Sequence, residues 1–269
     1  MSEEPFMKAI SAVNNLKIRA GYGVTGNQDA IDPYNSLELM EPNGTTLVDG
    51  TTTTTFAVTS NSNPDLRWEK KYTFDVGLDL SMFKNRFNMT LDYYSSRTKD
   101  LLYTYTVAVP PFTYTSLLAN IGEMTNHGFE ISMNGDVVKT RDFSFNAGVN
   151  VSFQKNKLVS LHGTYKGQEL TTSEHIAVAN INAAGLTQNT GVTYLIEGQP
   201  VGVFYLPHCT GIDENGQYII QDLDGNGTID TGDSGDRKVC GQAIPKAYMS
   251  CDFTFKYKNW DLTTQFNGA

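Results

Sequence analysis

In the stretch YTFDVGLDLSM, Tyr72, Phe74, Val76, Leu78, Leu80 and Met82 take every second position, and Thr73, Asp75, Gly77, Asp79 and Ser81 take the positions between. Only an extended chain sends alternate side chains to opposite faces; a helix returns to one face every 3.6 residues. The apolar set therefore lies on one side of a strand and the polar set on the other. A tight turn at Lys84–Asn85 follows, and alternation resumes with Phe87, Met89, Leu91 and Tyr93 against Asn88, Thr90 and Asp92. The pattern extends that apolar face to Leu101, Tyr103, Tyr105 and Val107. About 20 residues at about 3.3 Å each span about 65 Å, longer than globular sheets ordinarily need.

The same pattern recurs along the chain. Leu16, Ile18, Ala20, Tyr22 and Val24 oppose Lys17, Arg19, Gly21 and Gly23; Phe129, Ile131 and Met133 oppose Glu130, Ser132 and Asn134. Phe143, Phe145, Ala147, Val149, Val151 and Phe153 form a further set, as do Met249, Cys251, Phe253, Phe255 and Tyr257. Trp260, Leu262 and Phe266 form the last, giving seven candidate strands in all. Short turns at Lys84–Asn85, Val138–Arg141 and Lys258–Asn259 alternate with long connections at Thr25–Leu66, Ala108–Ala119 and Val159–Ala243. Short turns on one edge and long loops on the other predict an all-β fold, an antiparallel sector of a large transmembrane β-barrel with long extracellular loops. In that reading residues 1–269 form a partial barrel, with a long loop region at 159–246, an apolar face toward lipid and a polar face toward a wet lumen. A soluble sandwich or solenoid alternates equally well and is the competing architecture.

Composition narrows the function. A formal net charge of −9 with no basic run argues against a nucleic-acid partner. No apolar run reaches 18 residues, which excludes a transmembrane helix but not barrel strands. The start MSEEPFMKAI has no basic or long apolar segment of a signal peptide, and the end QFNGA interrupts a strand-like pattern, so both ends read as cuts in a longer chain.

Three segments carry a resemblance: NNLKIRAGYGVTGNQ (Asn14–Gln28), NPDLRWEKKYTFDVGLDLSMFKNRFNMTLDYY (Asn63–Tyr94), and the region from DLDGNGTIDTGD at Asp222 to QFNG at Gly268. In this order they resemble the barrel of SusC/RagA-type TonB-dependent outer-membrane transporters. The resemblance implies import of glycans or peptides, with oligosaccharides favoured, across a bacterial outer membrane. It implies a 22-stranded barrel around a plug, a SusD-like lipoprotein as lid, and the TonB complex as energy source acting through the plug. This chain matches a middle-to-late sector, without plug, TonB box or last strands. The alternative function is a non-transporting, cation-stabilised β surface or carbohydrate-binding protein.

The segment QDLDGNGTIDTGD has the spacing of an EF-hand loop, with oxygen donors at Asp222, Asp224, Asn226, Thr228 (carbonyl), Asp230 and Asp233, and Gly227 at the sharp reversal. Hard cations take six or more oxygens, which alternating side chains supply when glycine lets the chain turn back. A structural Ca2+ is one reading; a metal-free loop held by Asx turns is the other. No flanking helices brace the loop, so a cation there would stiffen it, and its role is structural or lid-docking, not catalytic. Catalysis finds little support: His127, His162, His175 and His208 are scattered without a protease or hydrolase motif, so the chain is not expected to be an enzyme. Phe112, Tyr114, Tyr194, Phe204 and Tyr205 in the connections are candidates for lid or ligand contact, or for packing the loops upon themselves. Cys209 and Cys240 bracket the acidic loop and could pair outside the cell, or remain free.

Overall fold

The computed structural model describes residues 4, 12–29, 31–181, 190–232 and 235–269, and every regular element among them is a strand. In chain order these are β1 (Val13–Asn27), β2 (Leu39–Val48), β3 (Thr51–Ser60), β4 (Glu69–Met82), β5 (Phe87–Thr106), β6 (Ser116–Lys139) and β7 (Phe143–Ser160). Shorter strands follow: β8 (Gly163–Tyr165), β9 (Gln168–Leu170), β10 (Ile176–Ile181), β11 (Thr190–Leu195), β12 (Val203–Pro207), β13 (Cys209–Ile212), β14 (Tyr218–Ile220) and β15 (Arg237–Gln242). The order closes with β16 (Ala247–Tyr257) and β17 (Trp260–Gly268).

The seven strands expected from alternation form one antiparallel sheet, ordered β1-β4-β5-β6-β7-β16-β17. Their register aligns like with like. One apolar row crosses the sheet through Ile18, Leu78, Leu91, Ile131, Val151 and Met249. The adjacent polar row runs through Lys17, Asp79, Thr90, Ser132, Asn150, Ser250 and Asn267. A one-residue slip would exchange the faces, so this match is what fixes the pairing. The first short turn is closed by consecutive left-handed residues, Phe83, Lys84 and Asn85, at φ 55°, 59° and 64°.

Close side-chain approaches give the polar face a low profile. Arg19 reaches across β4 to bond Asp79 at 3.0 Å and Asp92 at 2.8 Å. It passes over Gly77, where any Cβ would collide with both Arg19 and Asp92. Tyr94 likewise lies over Gly128, where an added Cβ would sit 2.5 Å from its hydroxyl.

Three boundaries differ from the sequence reading. The second long connection is shorter than Ala108–Ala119, because Leu117 and Ala119 already belong to β6. Val138 and Lys139 close β6, so the next turn occupies 140–142. The apolar face of β5 also does not continue to Val107 as expected. Register shifts at Lys99/Leu101 and Leu101/Leu102, with Asp100 at φ 60°, change the alternation of both strands. Tyr103, Tyr105 and Val107 therefore join Leu117 and Ala119 in a core covered by Tyr165 and Leu170 of the β8–β9 hairpin. Tyr105 and Leu117 are each 1% exposed.

The long connections carry structure of their own. The first holds the β2–β3 hairpin, and the third holds the β8–β9 and β13–β14 pairs and a four-stranded sheet, β10-β11-β12-β15. That small sheet centres on Tyr194, Val203 and Tyr205.

Candidate functional site

The connections meet at the long-loop edge of the sheet, and asparagines hold them there. The Asn61 amide donates to the carbonyls of Tyr114 (2.6 Å) and Ser116 (2.8 Å). Its oxygen accepts from the N–H groups of Thr113 and Tyr114, both at 3.0 Å, and from the Thr113 hydroxyl at 2.9 Å. Asn63 donates to the Leu118 carbonyl at 2.7 Å, and Asn120 donates to the Arg67 carbonyl at 2.6 Å while accepting from the Arg67 N–H. The first connection is thereby tied along the start of β6. Opposite, the third connection is tied to β7: Leu158 exchanges backbone bonds with Gly198 and Gln199, and Glu197 accepts from the Leu161 N–H and pairs with His162.

The acidic loop hangs from the small sheet. Asp222 accepts from the N–H groups of Gly225 and Gly227 at 2.7 and 2.8 Å. These bonds, that from Gly227 foremost, hold its carboxyl below the usual aspartate range. Asn226 accepts from the Thr228 N–H and Asp230 from the Gly232 N–H, so both side chains brace the turn. Asp233 lies outside the described residues. The acidic groups brought together are Asp222, Asp224 and Asp236, with one oxygen of each within 4.8 Å of the others. Asp236, which the loop spacing does not include, is 2% exposed and accepts from the N–H groups of Leu223 and Asp230. Three converging carboxylates suit a hard cation, so the residues present fit a metal ion.

The candidate contact aromatics divide. Tyr194 is fully buried, accepts from Arg237 Nη1 at 2.7 Å, and meets Tyr205 edge-on. Tyr205 stacks on His175 at 4.2 Å. These two residues build the small sheet's core. Phe204 is half-buried on β12, Tyr114 is exposed, and Phe112 packs against the Tyr105 core while lining a cavity. Cys209 and Cys240 are free thiols, each directed at a backbone carbonyl.

The apolar face of the large sheet decides the setting. Ile18, Tyr22, Val76, Tyr93, Phe129, Phe153, Met249, Leu262 and Phe266 are all exposed, Tyr22 at 69%. A soluble monomer rarely leaves so large a contiguous apolar surface uncovered. Near the short-turn edge, Phe145 stacks on Phe255 at 4.5 Å and Trp260 stands 81% exposed, as in an aromatic girdle. The family description "TonB dependent receptor-like, beta-barrel" matches residues 8–268. The chain belongs to the TonB-dependent receptor β-barrel family.

Relatives place this receptor sector more closely. It is 31% identical to TonB-dependent receptor P3 of Formosa agariphila, over 100% of this chain and 27% of that protein. It is 29% identical to TonB-dependent receptor SusC of Bacteroides thetaiotaomicron, over 98% of this chain and 26% of that protein. The receptor sector thus spans about a quarter of the length of these relatives. Its fold matches the RagAB peptide importer in the open-open state with a TM-score of 0.76 at 22% identity, covering 98% of this chain and 27% of that one. The closed-closed state matches with a TM-score of 0.69. The receptor sector is therefore of SusC/RagA type, an outer-membrane β-barrel element from a non-enzymatic family, and its exposed apolar rows face lipid.

Proposed function

We propose that this sector belongs to an outer-membrane importer that works with a SusD-like lipoprotein and draws energy from the TonB complex. The observation that carries the reading is the set of apolar rows crossing seven strands, exposed and with no core above them among the described residues, on a chain of this family. In this reading the long-loop edge is extracellular and the short turns are periplasmic. Oligosaccharides are the favoured substrate class and peptides the alternative. The lipoprotein lid meets the long connections through Tyr114, Phe204 and the neighbouring loop surface.

Calcium is the proposed occupant of the acidic loop, held by Asp222, Asp224 and Asp236. Bound there, it would fix the third connection in the shape the lid meets. In the intact receptor, shortening 107–115 should reduce co-purification of the lipoprotein, whereas an epitope tag at Lys84–Asn85 should not and should stay hidden from antibody on whole cells. Labelling of that tag at the cell surface would invert the topology and remove the basis for the lid contact.

A further inference from the structure

The lipid-facing side of the large sheet changes character at the long-loop edge. Its last wholly apolar row runs through Val76, Tyr93, Phe129 and Phe153. The next row carries Phe74, Ser95, His127 and Lys155, and the one above it Tyr72, Arg97, Thr125 and Lys157. Above these, Lys70 stands opposite Lys99. The five Lys and Arg side chains of this belt are exposed, in a chain whose formal net charge is −9. Glu123 bonds Arg97 at 2.6 Å, and Asp100, beside Lys70 and Lys99, is taken by Arg67 at 2.6 Å. Lys155 and Lys157 form no ion pair among the described residues. Arg97 follows Phe87 by ten residues on β5, and Lys155 follows Phe145 by ten on β7. Ten residues span about 33 Å of strand, or about 25 Å of height at a barrel tilt of about 40°, which is the thickness of the apolar band. The belt therefore begins where hydrocarbon ends. Trp68, which lies against Gly26 on this side, is 55% exposed, as suits a tryptophan at the membrane interface.

Cations at that level meet lipid headgroups, whose commonest anion is phosphate. Lys155 and Lys157 stand about 6.6 Å apart along β7, and Thr125 lies between Lys157 and Arg97 on strands about 4.8 Å apart. Ammonium, guanidinium and hydroxyl donors at these spacings can reach the oxygens of one phosphate. Cargo in the lumen does not meet these residues, because they point away from it. A second copy packed on this side by two-fold symmetry would set the same cations against one another. We propose that Lys155, Lys157 and Arg97 hold the phosphate of an anionic lipid in the outer leaflet, and that Lys70 and Lys99 extend the contact. The choice of leaflet rests on the extracellular long-loop edge of the import reading above; the phosphate contact does not.

The test is thermophoresis of the labelled, delipidated intact receptor in neutral detergent, titrated with bisphosphorylated lipid A, the same lipid A after phosphatase treatment, and inorganic phosphate. The bisphosphorylated lipid should saturate the receptor, and the other two should not at the same concentrations. Near a membrane surface each basic residue contributes about fivefold, so Lys155→Gln with Lys157→Gln should weaken binding about 25-fold. Lys70→Gln with Lys99→Gln, on other strands, should weaken it in the same direction and reads the belt even where the first pair assembles poorly. Lys71→Gln, next in sequence to Lys70 but on the opposite face, should leave binding unchanged. Unchanged affinity in both double variants, an equal loss in Lys71→Gln, or equal binding of dephosphorylated lipid A or free phosphate would overturn the proposal. Each of these results leaves the import reading intact, and whole-cell labelling of a tag at Lys84–Asn85 judges the leaflet separately.

Discussion

Replacing Asn61 by Ala tests whether the loop edge is a built platform. Asn61 satisfies four backbone groups, the N–H of Thr113 and Tyr114 and the carbonyls of Tyr114 and Ser116. Each such bond contributes about 0.5–1.5 kcal/mol, and a group left dry costs about 1–3 kcal/mol. Thr113 and Tyr114 are exposed, so water can reach part of the gap, and the loss should fall near 2–3 kcal/mol. Asn63 makes two such bonds, to the Leu118 carbonyl and from the Asp65 N–H, so Asn63→Ala should cost about half as much. At about 1.4 kcal/mol per tenfold, local opening in Asn61→Ala becomes about 30- to 150-fold more frequent. Hydrogen exchange on the intact receptor reads this at the Val107 amide, which bonds the Thr115 carbonyl at 2.9 Å across the same connection. Mid-sheet amides of Tyr93 and Phe129 serve as the internal reference. Unchanged protection at Val107 would refute the clamp, and equal acceleration at Tyr93 would mean that the whole sheet had loosened.

Three further outcomes are expected. Asp236→Asn should weaken calcium binding by the intact receptor at least tenfold in a terbium-luminescence competition, whereas Asp213→Asn in the β13–β14 turn should leave it unchanged. The Asp222 carboxyl is depressed in the folded state, so its stabilisation of the loop is complete above the ordinary aspartate pKa and is lost as pH falls through the lower folded value. Protease sensitivity of residues 222–236 should therefore rise only in that acid range, and a rise near neutral pH would contradict the assignment. Leu91→Arg, on the apolar row, should cost about 2–4 kcal/mol and reduce heat-modifiable barrel on gels, whereas Ser132→Arg, on the polar row, should assemble normally.

The large sheet was legible because lipid and water impose opposite demands on alternate residues, and nothing local interferes from Tyr72 to Tyr93. The alternation failed beyond Lys99 because one residue at positive φ, Asp100, reverses the faces, and aspartate in a polar stretch gives no warning of it. The loop hairpins were missed for a related reason. Runs such as Thr51–Thr55 have strand propensity but no apolar side, since β3 begins with exposed residues. At the acidic loop the spacing named Asp222 and Asp224, which stand two residues apart in one turn. Asp236 arrives by the return of the chain into β15, and periodic spacing has no information about that. Asn61 looked like an ordinary loop residue; only its five partners reveal its role.

The glycines beneath Arg19 and Tyr94 give the wall a sensitivity out of proportion to their size. With hydrogen at Gly77 and Gly128, a guanidinium and a phenol recline along the strands instead of projecting. A single methyl at either position would lift the long group above it, and at Gly128 the strand would shift as well, since the Phe153 carbonyl lies 2.6 Å from the added carbon. The displaced side chain would stand off the sheet, so the polar face changes shape by far more than the volume of the methyl. The relief of this face depends on what is missing from the chain, and a substitution that looks conservative can reshape it from a distance.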